Sequence, residues 1–445
     1  MIGEREIAVK ALMEITVDGA YSNLALRRVL AAHPDLSRVQ KAFVTELVTG
    51  CVRNLIHIDY LIDKISSTAT TKMKPSILCI LRISVYQMLY MNKTPAFAIC
   101  NEAVNLAKRI GPTKLAGFVN GVLRNIHRNL FDLLNIDGDV AEQLSIKYSC
   151  ARWIVEHFID ELGLEVAVAT IEAAQIPPRI TLCVNTNRIS KTELKDLLTH
   201  EGLDVCDGNL VECCLSVSKT SDITALQSFK KGFFHIIDEA AVLAVKCAMP
   251  ISGRVIDLCA APGGKSFAVA SLTSADSILA RDIYPHKLDL IRNGAKRLGH
   301  DHIKISHGDA TLIDASLRQT ADLLIVDAPC SGLGTLGKRP DIKLERRKSK
   351  DDLAQLVNLQ RQILSASWDY VKPGGKLLYA TCTISDTENI NNRNWLLDNF
   401  PFKPVDFSYH MPDFAGFKTA CEGYIQVMPQ DYNTDGFFVA VFERV

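Results

Sequence analysis

The chain has 445 residues, 48% of them hydrophobic and 22% charged, with 50 basic side chains against 50 acidic ones. That length calls for two or three domains rather than one core. The apolar share excludes a disordered or collagen-like chain, and zero net charge excludes a uniformly polyanion-binding surface. The sequence has no apolar run of the roughly 18 residues that span a bilayer; Arg82 interrupts the best candidate, residues 77–91. Met1–Lys10 alternate charge with aliphatics and lack a signal-peptide layout, so a cytoplasmic protein is expected.

Residues 1 to about 135 read as all helix. Ile7, Ala11, Leu12 and Ile15 recur at helical spacing, as do Ile77, Ile80, Leu81, Val85 and Leu89, and later Phe118, Val122, Leu123 and Ile126. Pro75 suits a first helical turn, and Gly111-Pro112 marks a stop. This segment carries 17 Lys/Arg against 10 Asp/Glu, so the rest of the chain has the opposite surplus. Ile136–Asp139, with Asp137-Gly138, reads as a linker. A small α/β subdomain is expected next: Pro177-Pro178-Arg179 precedes a short strand at Ile180–Val184, Ser190–Thr199 reads as a capped helix, and Phe233–Ile237 as a strand.

From about residue 240 strands and helices alternate. Strands are expected at Arg254–Asp257, Ser277–Ile283, Ile303–Ser306, Ala321–Asp327, Lys376–Thr381 and Phe437–Phe442, with a long helix ending at Lys372-Pro373-Gly374-Gly375. Such alternation implies a mostly parallel sheet covered on both faces. The expected domains are therefore a helical bundle (1–138), a linking α/β subdomain (139–238) and a Rossmann-like α/β domain (239–445).

In sheets of this kind ligands bind at the carboxyl ends of the strands. The first strand runs into Asp257-Leu258-Cys259-Ala260-Ala261-Pro262-Gly263-Gly264-Lys265-Ser266, where small residues let a ligand approach the backbone and a helix N-terminus follows. It is neither G-x-G-x-x-G nor a phosphate loop, because Ala260 stands where the latter needs its first glycine. Asp282 follows the second strand and can accept from ribose hydroxyls; Asp309 follows the third and can accept from an adenine amino group. Acids at successive strand ends suit a nucleoside with a cationic tail. Asp327-Ala328-Pro329-Cys330-Ser331-Gly332 follows the fourth strand and Ala380-Thr381-Cys382-Thr383 the fifth. Neighbouring parallel strands would bring both cysteines to one edge, a constellation for nucleophilic catalysis.

The 13 cysteines are otherwise scattered and form no C-x-x-C pair, so neither a disulfide framework nor a metal site is expected. Cys51, Cys79, Cys100, Cys150, Cys183, Cys206, Cys213, Cys214, Cys247 and Cys421 read as small core residues. Residues 338–350 hold seven Lys/Arg against two acids.

The segments DLCAAPGGKS, DAPCSGLGTLGKRPD, KPGGKLLYATCT and DGFF resemble the RNA cytosine-C5 methyltransferases. ILRISVYQMLYM, NEAVNLAKRIG and GFVNGVLRNI resemble the NusB-type RNA-binding bundle. A NusB-like bundle fused to such a domain is similar to the RsmB/Sun family of 16S ribosomal RNA methyltransferases. Departures from the family pattern are Cys183, which stands where members usually carry arginine, and Asp238-Glu239, which lacks the usual preceding glutamine.

The resemblance implies an all-α NusB-like domain, a linking α/β subdomain and a Rossmann-like methyltransferase domain that uses S-adenosyl-L-methionine to methylate carbon 5 of a cytidine in 16S ribosomal RNA. It implies that Cys382 is the nucleophile that adds to cytosine carbon 6, that Cys330 assists release of the methylated base, and that Asp327 hydrogen-bonds the base near ring nitrogen 3. Cys259, Ala260, Ala261, Pro262, Gly263, Gly264, Lys265, Asp282, Asp309 and Asp327 match the cofactor-contacting positions. Lys338 and Arg339 become candidate phosphate contacts, and the target base must leave its stack. A monomer satisfies all of this. Two alternatives stay open: the same chemistry on transfer RNA, or a non-catalytic RNA-binding assembly or antitermination factor.

Overall fold

The computed structural model describes residues 3–91, 94–176, 179–218, 222–344, 350–410 and 417–445. Its internal contacts form two compact units, Met1–Gln175 with Arg339–Arg347, and Ile176–Lys338 with Lys348–Val445.

The first unit is helical throughout, as the periodicity predicts. Seven longer helices (Glu4–Thr16, Ser22–Ala31, Arg38–Arg53, Leu55–Ile65, Pro75–Tyr90, Ala96–Ile110 and Ala116–Arg128) enclose a core that includes Leu12, Leu47, Ile58, Ile80 and Leu123. Pro75 occupies the first turn of its helix and Gly111 closes the next. Ser37 and Gln40 form a reciprocal capping box, which satisfies two of the amides that a helix start leaves unpaired. Arg82, the charge that interrupts the apolar run, is buried in a bidentate pair with Asp59, both nitrogen–oxygen distances being 2.8 Å. No helix among the described residues is long and apolar enough to cross a membrane.

The contacts part the chain after Gln175 rather than after Gly138. Three further helices, Val140–Lys147, Arg152–Leu162 and Leu164–Ala173, stay with the bundle. Ser149 Oγ accepts from His57 N at 2.9 Å, Tyr148 Oη donates to Glu172, and Gln175 Nε2 donates to Tyr148 O at 2.7 Å. The short helix Pro340–Lys343 belongs to the same unit. The Asp341 carboxylate accepts from Ser22 N (3.3 Å) and Ser22 Oγ (2.8 Å) at the start of Ser22–Ala31. Lys343 is wholly buried, its Nζ 3.4 Å from Arg53 O. Burial lowers its amine to about 7.

The second unit holds two sheets. The smaller is antiparallel, in the order β2-β3-β1-β4, from β1 (Ile180–Val184), β2 (Asp204–Asp207), β3 (Cys214–Ser218) and β4 (Phe234–Ile236). The sequence predicts β1 and β4 and the helix Lys191–His200, capped by Ser190 with Glu193. It does not predict β2, an exposed strand of sequence DVCD, or β3. Glu239, of the Asp238-Glu239 pair that lacks the usual preceding glutamine, is buried, and its carboxylate accepts the amides of Asn209, Leu210 and Val211 at 2.7–3.0 Å, which fixes the turn before β3.

The large sheet runs β10-β12-β9-β8-β5-β6-β7, with β11 paired to β12. Its strands are β5 (Ser252–Asp257), β6 (Ser274–Asp282), β7 (Ile303–His307), β8 (Ala321–Asp327), β9 (Val371–Thr381), β10 (Phe402–Pro404), β11 (Tyr424–Val427) and β12 (Phe437–Arg444). β5 to β9 are parallel, and β12 closes antiparallel on β9. Val255, Leu323, Ile325, Leu378 and Val439 face one core, while Ile256, Leu324, Val326, Leu377 and Phe438 face the other. Both faces are therefore covered, as a parallel sheet requires. β10 and β11, of three and four residues, carry too little pattern to be predicted.

Lys372–Gly375 does not end a helix. The helix stops at Ser367, and the register jumps from Ala321↔Val371 to Leu323↔Lys376, so these residues bulge out of β9. Gly374 permits this at φ +75°. Among the cysteines expected in the core, Cys206 and Cys421 are exposed and Cys213 is half-buried, whereas the others are buried.

Candidate active site

The chain visits β5, β6 and β7 on one side of the large sheet, then returns to place β8 and β9 on the other. The order reverses between β5 and β8, and the crevice beyond their carboxyl ends is where such sheets bind ligands. The expected site residues stand at or after the carboxyl ends of β5, β6, β7, β8 and β9 in turn.

The loop after β5 is stitched to β6 and β8. Leu258 N donates to Ile325 O at 3.1 Å, Ala260 N to Arg281 O at 2.8 Å, and Ala261 N to the Asp282 carboxylate at 3.1 Å. Asp282 also accepts from Tyr284 N at 3.0 Å. Cys259, Ala261 and Gly264 are part-exposed, Pro262 is exposed, and Ala260, Gly263 and Lys265 are buried. Gly263 sits at φ +110°, and a Cβ there would meet the Phe267 ring at 2.4 Å. Asp309 accepts from Thr311 N (2.9 Å) and Thr311 Oγ1 (2.6 Å), bonds that lower its carboxyl below the usual range.

Asp257 lies beneath the loop. It is fully buried, accepts from Ser266 Oγ at 2.7 Å with one oxygen, and has no partner on the other. Burial raises it to about 7. Burial also pushes the Cys259 thiol up, and the charges of Asp257, Asp327, Asp282 and Asp309 push it further. The orphaned oxygen of Asp257 and the cluster of acids fit a nucleoside carrying positive charge.

Lys265 Nζ ion-pairs with Asp327 Oδ2 at 2.6 Å and lies 4.8 Å from the centroid of the Phe437 ring. Ala328 N donates to Ala380 O at 2.9 Å, joining the end of β8 to β9. The two following loops bring Cys330 Sγ within 3.4 Å of Cys382 Sγ, both part-exposed. Gly334 N donates to Cys382 O at 3.1 Å and accepts at its own carbonyl from Gly436 N at 2.8 Å. A Cβ on Gly334 would come within 2.0 Å of Gly436 O, so only glycine allows this approach.

Lys338 Nζ ion-pairs with Asp238 and with Asp435 (2.9 Å), so its charge is already matched. Arg339 is exposed, and residues 345–349 of the basic run lie outside the described residues. So do Pro177 and Pro178 of the turn expected before β1.

Sequence reasoning also missed the polar floor under the two thiol loops. Glu388 is wholly buried and accepts from Ser331 N (2.9 Å), Ser331 Oγ (2.5 Å) and Gln360 Nε2 (2.8 Å). Asn389 donates to Thr383 O at 3.0 Å and accepts from Thr381 Oγ1 at 2.6 Å. The polar pair Glu388-Asn389, a few residues past Cys382, was the available signal.

Residues 249–443 match the family model described as 16S rRNA methyltransferase RsmB/F, residues 3–128 match the NusB family, and residues 150–224 match the ferredoxin-like domain of RsmF/B-like methyltransferases. Fold and site thus define a methyltransferase with a NusB-like helical domain and a Rossmann-like sheet. The probable ribosomal RNA small subunit methyltransferase B of Bacillus subtilis is 36% identical over 99% of this chain and 98% of its own. The corresponding protein of Synechocystis is 31% identical across the whole of both chains. The crystal structure of PH0851 superposes with a TM-score of 0.81 at 25% identity, covering 100% of this chain and 99% of that one. The chain belongs to the 16S rRNA methyltransferase RsmB/F family.

Proposed function

We propose that the protein transfers a methyl group from S-adenosyl-L-methionine to carbon 5 of a cytidine in 16S ribosomal RNA, with Cys382 as nucleophile. The observation that carries this is the pair of thiols 3.4 Å apart in the loops that follow adjacent strands, with the Lys265–Asp327 ion pair at the end of the first of these strands. Small-molecule methyl transfer needs neither the second thiol nor a NusB-like bundle. Relatives named as ribosomal RNA small subunit methyltransferases support the RNA substrate.

The loop Cys259–Lys265 with Asp282, Asp309 and Asp327 would hold the cofactor, which supplies an electrophilic methyl group when bound. Asp282 suits ribose hydroxyls, Asp309 an adenine amino group, and the surrounding negative potential a sulfonium. The Cys382 thiolate forms a bond to cytosine carbon 6 as the 5,6 π pair moves to carbon 5. Asp327, held by Lys265, would accept from the 4-amino group beside ring nitrogen 3 and so orient the base, while the Lys265 cation next to it favours the negative charge that builds up in the ring. Once carbon 5 carries the methyl group, its proton passes to a water, the freed electron pair restores the 5,6 double bond, and Cys382 leaves as thiolate, with Cys330 beside it to assist release. The flipped base calls for a single-stranded target. With Lys338 paired internally, phosphate contact falls to Arg339.

The test is transfer of tritiated methyl from the cofactor to unmodified 16S ribosomal RNA, with transfer RNA in parallel and mapping of 5-methylcytidine. Label at one ribosomal cytidine, lost in Cys382→Ala, is expected. Label on transfer RNA alone would move the substrate, and cofactor binding without label on either RNA would favour a non-catalytic assembly role.

A further inference from the structure

Resting on the assignment of Cys382 as nucleophile, we infer that Glu388 is a positioning residue that sorts the roles of the two thiols, holding the loop around Cys330 in place and keeping the shared proton on Cys330. The two thiols are alike in residue type and exposure class, so something outside the pair must decide which becomes the anion. Their 3.4 Å separation allows one S–H···S contact, with either sulfur as donor.

Glu388 breaks the symmetry. Both its oxygens are bonded to Ser331, the residue next to Cys330, through the amide at 2.9 Å and the hydroxyl at 2.5 Å. Gln360 Nε2 links the same carboxylate (2.8 Å) to Pro329 O (3.0 Å), on the other side of Cys330. The carboxylate thus brackets Cys330 from both chain neighbours. Glu388 and Gln360 have no solvent exposure, so this charge is weakly screened. Ser331 Oγ also lies 2.8 Å from Thr383 Oγ1, which ties the bracket to the loop carrying Cys382. The Glu388 backbone carbonyl is fixed in turn by Tyr379 Oη (2.7 Å) and Asn392 Nδ2 (3.1 Å).

A fixed negative charge beside one thiol of a pair disfavours the thiolate there. Cys330 is raised above the ordinary thiol range, first by its hydrogen bond to Cys382, then by burial, then by the charges of Cys382 and Glu388. Lys265 and Asp327 at these strand ends are paired with each other, and Asp386, four residues past Cys382, is exposed, where solvent screens its charge. Cys330 therefore donates, and Cys382 holds the negative charge that attacks carbon 6.

The test needs neither RNA nor cofactor, so its failure is separable from failure of the methyl-transfer reading, which the labelling experiment decides. Folded wild type, Glu388→Gln and Ser331→Ala are alkylated with iodoacetamide across pH 6–10, and Cys330 and Cys382 are quantified by peptide mass spectrometry. Glu388→Gln keeps the shape and removes the charge. It is expected to move the Cys330 profile to lower pH and to cut the Cys382:Cys330 labelling ratio near neutrality, by about tenfold. Ser331→Ala removes a donor from the carboxylate, leaving its charge less satisfied, and is expected to raise that ratio. A merely structural clamp would increase labelling of both thiols in both variants. An unchanged ratio in folded Glu388→Gln overturns the proposal. If that variant does not fold, a ratio that fails to rise in Ser331→Ala does so.

Discussion

Lys265 Nζ lies 2.6 Å from Asp327 Oδ2, so the helix that follows β5 and the end of β8 are joined by an ion pair at the point where the strand order reverses. The lysine is almost fully buried and the aspartate about one-third exposed. Neither charge is easily replaced alone, because removing one partner strands the other. Lys265→Met and Asp327→Asn should each lower kcat by about two orders of magnitude, and the double variant should lose much less than the product. A double-mutant cycle on kcat/KM checks this, with about 1 kcal/mol or more of coupling expected. Additive losses would show that the two side chains act separately.

Cys382→Ala should abolish methyl transfer while leaving cofactor binding intact. Cys330→Ala should instead accumulate a protein–RNA adduct that survives denaturing electrophoresis, because attack still occurs and release is slowed. Equal loss of turnover with no adduct in Cys330→Ala would remove its release role.

Gly334→Ala places a methyl group against two backbone carbonyls, 2.0 Å from Gly436 O and 2.9 Å from Cys382 O. The backbone must move, and overpacking of this kind costs about 1–3 kcal/mol. Because Gly334 N also holds Cys382 O, activity should fall by a larger factor than the drop in Tm alone accounts for. Thermal melts beside initial rates provide the comparison.

Asp257 gives the cofactor-free protein a defined pH response. Its folded value of about 7 exceeds the ordinary carboxyl value because the group is buried. Between about pH 4 and pH 7 the folded state holds a proton that the unfolded state has released, so stability falls as pH rises through that window. Asp257→Asn should flatten this dependence, the difference between pH 4 and pH 7 reaching at most about 4 kcal/mol. Urea unfolding at several pH values measures it, and parallel curves for the two proteins would contradict it.

Lys343 is shifted by the same cause, burial, in the opposite direction and over a different window. Burial lowers its amine to about 7, so the unfolded chain binds more protons from about pH 7 to pH 10 and stability rises with pH across that range. Lys343→Met should stabilise the protein at pH 7, where burial of the amine costs most, by an amount on the order of 1–4 kcal/mol, seen as a higher Tm. The gain should shrink toward pH 10. A lower Tm at every pH would mean that the 3.4 Å contact with Arg53 O matters more than the burial.

Much of this protein is determined by local sequence. Helical periodicity, a start signal at Pro75 and a stop signal at Gly111 set bundle helices, because each helix buries one face and needs its own ends satisfied. Apolar runs ending in Asp257, Asp282 and Asp327 set three strands and, by the rule for parallel sheets, the edge where ligands bind. Glycine and proline at 372–375 misled the reading of that segment, since the same residues suit a helix stop or a strand bulge and only pairing with β8 distinguishes them. Strands as short as β10 depend on a neighbour for their existence. Tertiary structure alone decided the pairings: Lys265 with Asp327, Cys330 with Cys382, Lys338 with Asp238 and Asp435, and Glu388 with Ser331. Distance in space, burial and screening set the charge and reactivity of these groups, and none of the three is a property of spacing along the chain.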